Sequence, residues 1–165
     1  MTPRLIVVAH NIRSTHNVGA IFRTCEGFGV ERLILSGYTP YPSTPQDSRL
    51  PHIREKITEQ IHKTALGAEK LVPYEQHEDI TTVLTSLRAS GFQVVGLEQS
   101  PNSIPLPNFT PPKAVALLLG EEVQGIPPSL QQLCDDLLEI PMYGKKESFN
   151  VSVACGIALY ALRAT

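Results

Sequence analysis

Tryptophan is absent from the 165 residues, cysteine occurs only three times, and positive charge is in slight deficit. Each shortage removes a class of protein. Cys25, Cys134 and Cys155 are an odd, scattered set with no CxxC pair, which argues against a zinc site and against a disulfide framework. His10, His16, His52, His62 and His77 show no HxxxH or HExxH spacing, so no metal site is expected. No stretch approaches the roughly 20 apolar residues that cross a bilayer, so no membrane partner is expected. The apolar run at 5–9 is too short for a signal-peptide core, and a cytoplasmic protein is expected. Lysine and arginine total 14 against 16 acids, a net charge of −2. Any nucleic-acid contact must therefore come from a local patch rather than a bulk basic surface. No GxGxxG follows a strand, and the Gly120–Gly125 spacing has Ile126 and Pro127 where a phosphate loop needs lysine and serine or threonine. Ser148 lacks the GxSxG elbow of a hydrolase nucleophile.

What remains is a chain with 42% hydrophobic and 18% charged residues, long enough for one domain spanning 1–165 and a core without staples. There is no internal repeat. Short runs rich in Val, Ile and Leu at 5–9, 33–36, 71–74, 92–97, 114–119 and 137–140 read as buried strands. Helical stretches fall at about 17–28, 54–66, 79–90, 127–134 and 150–163. The alternation predicts an α/β fold, with a mainly parallel sheet and helices on both faces. Two proline-rich stretches, 39–51 and 100–112, read as long loops of functional or mobile character. In the first helix Val18, Ile21, Phe22, Cys25 and Phe28 make one apolar stripe. The opposite side carries Gly19, Ala20, Arg23 and Gly27, small residues that let another backbone come close to the arginine. The last helix is apolar over a broad arc through Val151, Ala154, Cys155, Ala158, Leu159 and Leu162. That arc implies burial on more than one side, as in a subunit interface.

Three blocks can carry chemistry, and each has a plainer reading. In 11–29, Asn17 and Arg23 lie near a helix start after the first strand, where open α/β sheets bind ligands, and a guanidinium fork suits phosphate. The plainer reading makes Asn17 a helix cap and Arg23 a solvated charge. In 117–128, Gly120 lets a ligand approach the backbone. A carboxylate of Glu121 or Glu122 there can accept from a ribose hydroxyl or from a neighbouring loop. Alternatively both acids favour the positive end of the helix starting near Pro127. In 139–162, Lys145 and Lys146 form a small basic patch. Ser148 and Asn150 precede the final helix, where Asn150 suits an N-cap at least as well as a ligand contact.

Together these blocks resemble the TrmH family of SPOUT RNA methyltransferases. The matching pieces are Asn17-x-Gly19-Ala20-x-x-Arg23-Thr24, Leu119-Gly120-x-Glu122-x-x-Gly125-Ile126, and Ile140-Pro141-Met142-x-Gly144 with Ser148-x-Asn150-Val151-Ser152-x-Ala154, with KTALGAE at 63–69 between them. The likeness covers nearly the whole chain. It implies a SPOUT α/β-knot whose C-terminal third is a trefoil knot, a feature no periodicity could indicate. It also implies a homodimer, with the active site at the subunit interface and S-adenosylmethionine as cofactor. By position, Leu119, Gly120, Ile140, Met142 and Phe149 would line the cofactor. Arg23, reaching over from the partner subunit, would act with Asn17, Glu122, Ser148 and Asn150 at the reacting ribose. One departure is Phe149, where the family more commonly has leucine. The chain also reads as a minimal core without the N-terminal RNA-binding extension of many relatives.

The implied reaction moves a methyl group to a ribose 2′-hydroxyl, with tRNA favoured over ribosomal RNA. A guanidinium gives up its proton only far above neutral pH, so Arg23 is expected to stabilise a developing alkoxide and a substrate phosphate rather than act as base. Arg13, Arg49, Arg54, Lys145 and Lys146 are candidates for RNA backbone contacts, and Tyr38 and Tyr41 for stacking on a splayed base. The competing readings are a non-catalytic RNA-binding or assembly protein on the same scaffold and a nucleotide-dependent metabolic enzyme.

Overall fold

Strand and helix alternate along the computed structural model, which describes residues 2–164. The strands are β1 (Arg4–His10), β2 (Arg32–Ser36), β3 (Tyr74–His77), β4 (Gln93–Leu97), β5 (Ile104–Pro105), β6 (Ala114–Leu119) and β7 (Asp136–Glu139). The helices are α1 (Thr15–Gly27), α2 (Pro51–Ala65), α3 (Ile80–Ala89), α4 (Pro128–Gln131) and α5 (Val151–Arg163). The strands form one 7-stranded sheet in the order β3-β2-β1-β6-β4-β7-β5, with every strand pair parallel.

The expected two-faced burial is present. Along β1, Leu5, Val7 and Ala9 join a core with α1, α2 and α5. Ile6 and Val8 join a second core with α3 and α4 on the other face. β6 is buried along its whole length and splits its side chains the same way. This continuous burial is why the central strands read as unbroken apolar runs. Phe22 of α1 meets Tyr74 of β3 edge to face, with ring centroids 5.4 Å apart. Arg163, near the end of α5, staples that helix to the start of the chain and the end of α1. It donates to Phe28 O at 2.9 Å, Gly29 O at 2.7 Å and Pro3 O at 2.5 Å.

Several expected boundaries move. The strand expected at 71–74 begins only at Tyr74, after a 3-10 turn at Ala68–Lys70. Leu71 is exposed, and Pro73 has no N–H to donate to a ladder. β3 is an edge strand of mostly polar residues, so its hydrophobic signal is weak. The loop expected at 100–112 contains β5, also an edge strand, where Pro105 is tolerated. The helix expected at 127–134 is one turn long, because Asp135 N already donates to Val94 O beside the sheet. α2 starts earlier than expected, on Pro51, whose fixed backbone suits a first helical turn.

Both helices expected at an interface, α1 and α5, also pack within this chain. α5 is buried on one face within this chain, by Cys155, Ala158, Leu159 and Leu162, while Val153 and Tyr160 face solvent. The close backbone approach at Gly19 belongs to α2 of the same chain. A Cβ there would stand 2.1 Å from Thr64 Oγ1 and 2.3 Å from Ile61 O. Among the described residues, no helix is long and apolar enough to cross a membrane.

Candidate active site

The chain runs outward from β1 through β2 to β3, then resumes on the other side of β1. Open α/β sheets bind ligands at the carboxyl ends of strands near such a switch. There the three sequence blocks converge. Ser14 caps α1, its side chain accepting from Asn17 N at 3.2 Å. Asn17 is therefore not the cap, and its side chain is available for longer-range bonding. Its Nδ2 donates to Glu122 Oε1 at 3.2 Å, and its Oδ1 accepts from Asn150 Nδ2 at 3.1 Å. Asn150 caps α5, accepting through Oδ1 from Ser152 N at 2.9 Å and Val153 N at 3.4 Å and from the Ser152 hydroxyl at 2.6 Å.

Hydrogen-bond polarity makes this chain of groups self-consistent. An ionised carboxylate only accepts, so Asn17 turns its amide nitrogen to Glu122 and its oxygen to Asn150. Asn150 in turn has its own oxygen left for the helix N-terminus. Glu122 also accepts from Arg13 N and Ser14 N, each at 3.2 Å. It bonds the neighbouring loop rather than the start of α4. Burial pushes its pKa up, but these N–H groups and the Asn17 amide outweigh that and hold it below the ordinary glutamate range.

Beside this network lies a cleft of about 330 Å³ at the ends of β4, β6 and β7. Leu119, Gly120, Ile140, Met142 and Phe149, the expected cofactor residues, all line it, as do Glu122 and Ser148. Phe149 is 41% exposed at its wall. Glu98, Glu121, Glu122, Glu139 and Glu147 line it too, and no lysine or arginine does. A surface of that sign favours a cationic ligand and opposes the phosphates of a dinucleotide. From 142 to 149 the chain has no regular secondary structure, and no hydrogen bond among the described residues involves them. Their main-chain donors and acceptors are free to read a neutral heterocycle. An acidic cleft with unpaired peptide groups fits S-adenosylmethionine, which joins an adenine to a sulfonium.

Glu98 was not anticipated. Its Oε2 accepts from Ile126 N at 2.6 Å and its Oε1 from Gln99 N at 3.0 Å, tying the end of β4 to the loop after β6. Its one sequence signal is an acid placed directly after an apolar strand. Cys25 and Cys155 were read as scattered, yet they meet between α1 and α5. The hydrogen bond to Cys155, together with burial, pushes the Cys25 thiol well up. All three cysteines are free, and no group of His, Cys, Asp or Glu among the described residues is placed to hold a metal ion.

The remaining expected residues lie elsewhere. Arg23 is exposed on α1 and does not line the cleft of its own chain. Arg13, Lys145 and Lys146 are exposed. Arg54 is half-buried and donates to Asp47 O at 3.0 Å. Arg49, also expected at the RNA backbone, is engaged by its own chain. Its guanidinium forks onto Asp47 at 2.8 and 2.5 Å, donates to Tyr41 O and Pro42 O, and stacks 3.7 Å above the Tyr41 ring. It pins the 39–51 loop with four of its five N–H donors, and Tyr41 is covered by it rather than free to stack on a base. Tyr38 remains exposed.

The sequence profile of the SpoU rRNA Methylase family matches residues 4–160. A tRNA (guanosine(18)-2'-O)-methyltransferase of Aquifex aeolicus is 35% identical over 156 residues, which are 94% of this chain and 67% of that protein. A 23S rRNA (guanosine-2'-O-)-methyltransferase RlmB of Coxiella burnetii is 29% identical over 98% of this chain and 59% of its own length. An AdoMet-bound rRNA methyltransferase from Sinorhizobium meliloti superposes with a TM-score of 0.83 at 25% identity, over 99% of this chain and 57% of that one. The chain thus spans between little over half and two thirds of the length of these relatives.

Proposed function

This chain belongs to the SpoU rRNA methylase family, and from that premise we propose that it transfers the methyl group of S-adenosylmethionine to a ribose 2′-hydroxyl of RNA. The observation that carries this reading is the Asn17–Glu122–Asn150 network on the rim of an acidic cleft free of cationic side chains. Two relatives named as 2′-O-methyltransferases support it. Of their two RNA classes we favour tRNA, whose exposed loops suit a core of this size, and we place the protein in the cytoplasm.

When bound, the cofactor supplies an electrophilic methyl group on a sulfonium. Gly120, Ile140 and Met142 would hold it through the main chain, with Leu119 and Phe149 as apolar walls. Glu122 and Asn17 fix the start of α1 against the cleft, and Asn150 sets the start of α5. Ser148, whose hydroxyl has no partner among the described residues, is free to meet the substrate. The ribose oxygen would take the methyl carbon as the carbon–sulfur bond breaks and its electron pair stays on sulfur as a neutral thioether, and the hydroxyl proton would go to solvent. Arg23 donates hydrogen bonds to the negative charge that develops on that oxygen. Alignment of this kind contributes about 7–11 kcal/mol in well-oriented systems.

Arg23 stands outside its own chain's cleft, so we assign it to the cleft of a second copy. The exposed apolar residues Val153 and Tyr160 on α5 suit contact with that copy. The same family membership carries the proposal of a trefoil knot in the C-terminal third. The test is incubation with methyl-labelled S-adenosylmethionine and, separately, unmodified tRNA and ribosomal RNA. Label in tRNA is expected, label only in ribosomal RNA corrects the substrate, and cofactor binding without transfer to either overturns the catalytic reading.

A further inference from the structure

A second depression lies between α1 and α2, lined by Ala20, Arg23, Thr24, Lys63, Thr64 and Leu66. Its chemistry is the reverse of the cofactor cleft, with two cations and no carboxylate. Arg23 and Lys63 are both exposed, and neither takes part in an ion pair among the described residues. Two like charges on adjoining helices repel unless an anion comes between them. The helices are held together here, since Gly19 admits Ile61 and Thr64 at contact distance and Thr64 Oγ1 donates to His16 O at 2.8 Å. On the rim, Leu66 occupies a left-handed conformation (φ 53°) that favours glycine, and it is 61% exposed. Two cations on helices held at a fixed spacing, with an apolar rim, match a nucleotide's phosphate and the face of its sugar.

We propose that Lys63 joins Arg23 in a phosphodiester-binding subsite between α1 and α2, which grips the RNA backbone next to the methylated ribose. The subsite rests on the RNA methyltransferase reading. Lys63 is a binding residue in it, and the Thr24 hydroxyl, which has no partner among the described residues, is a further donor. A lysine in the last turn of α2 also complements the helix dipole. That role affects stability alone and leaves salt dependence untouched.

The test compares wild type with Lys63→Gln and Lys63→Arg, using RNA titrations at several salt concentrations together with initial rates. Removing one phosphate contact should lower the slope of log affinity against log salt by about 0.7. Lys63→Gln should raise KM for RNA about tenfold, with kcat and S-adenosylmethionine affinity unchanged, and Lys63→Arg should restore both readings. An unchanged slope and KM in Lys63→Gln overturns the subsite while leaving the methyltransferase reading intact. A wild type that binds RNA without transferring methyl, with a slope that falls in Lys63→Gln, overturns the reaction and keeps the subsite. A wild type that binds no RNA overturns both.

Discussion

Replacing Gly120 with alanine puts one methyl group into the hinge between β6 and the cleft. The Gly120 backbone does not lie in the left-handed region, so alanine meets a limit of space and not of conformation. Its Cβ would stand 2.6 Å from the Gly125 carbonyl carbon, 2.7 Å from its oxygen and 2.7 Å from Ile126 Cγ1. Two of these atoms are backbone and cannot rotate away. Relief requires the 120–126 loop to move by about 0.8 Å, the gap between 2.6 Å and the 3.4 Å at which ordinary contact begins. That loop carries Glu122 and the Ile126 N–H held by Glu98. Overpacking of this kind costs about 1–3 kcal/mol of stability, and a shift near 1 Å at a reacting centre costs on the order of 10²-fold in rate. The account therefore expects Gly120→Ala to lower the melting temperature, weaken S-adenosylmethionine binding about tenfold or more and cut the transfer rate. Calorimetric titration, thermal denaturation and initial rates read these three quantities. Gly27→Ala, at the end of α1 and away from the cleft, is the control, since a Cβ there meets nothing within 4 Å, and it should lower none of them. An unchanged melting temperature refutes the packing argument. A lowered one with unchanged cofactor affinity refutes the assignment of the cleft.

Other expectations follow from the same geometry. The Glu122 carboxylate is held below its ordinary value of 4.5, so its stabilising contribution is complete above that value and is lost as pH falls through the lower folded one. Wild-type stability should drop in that acid window, and Glu122→Gln should be less stable at neutral pH with a flatter profile, as denaturation at stepped pH will show. If Arg23 serves a partner's cleft, inactive Arg23→Ala and Asn150→Ala chains mixed under subunit exchange should regain activity. Random pairing gives about a quarter of the wild-type rate, because half the dimers carry one intact site, whereas no recovery means each chain uses its own arginine. Arg23→Lys should keep substantial activity if charge alone matters and lose nearly all of it if the planar fork is needed. Arg49→Ala should lower the melting temperature by freeing the 39–51 loop, with no change in the salt dependence of RNA binding. A reduced salt slope would return Arg49 to the RNA surface.

The central sheet was legible because β1 and β6 are buried on both faces and so appear as unbroken apolar runs. β3 and β5 were not, since edge strands lack that signal and β5 contains a proline. The site was legible as three separate blocks, and the bonds joining them were not. Asn17 lies 105 positions from Glu122 and 133 from Asn150, and no local rule links residues that far apart. Local rules favoured Asn17 as a helix cap, but Ser14, three residues earlier, takes that role and frees Asn17 for the network. Arg49 resembled any exposed cation until its neighbours Asp47 and Tyr41 were seen to enclose it. Arg23 and Lys63 belong to different helices, and only the close packing at Gly19 brings them to one depression.

The most direct test of the central claim is the linkage of the transferred methyl group. RNA labelled by the protein from methyl-labelled S-adenosylmethionine would be digested in alkali and its products separated by size. A 2′-O-methyl group removes the nucleophile that alkaline cleavage needs, so the account predicts label in alkali-resistant dinucleotides. Label in single nucleotides would mean that a base is methylated and would contradict the proposed reaction.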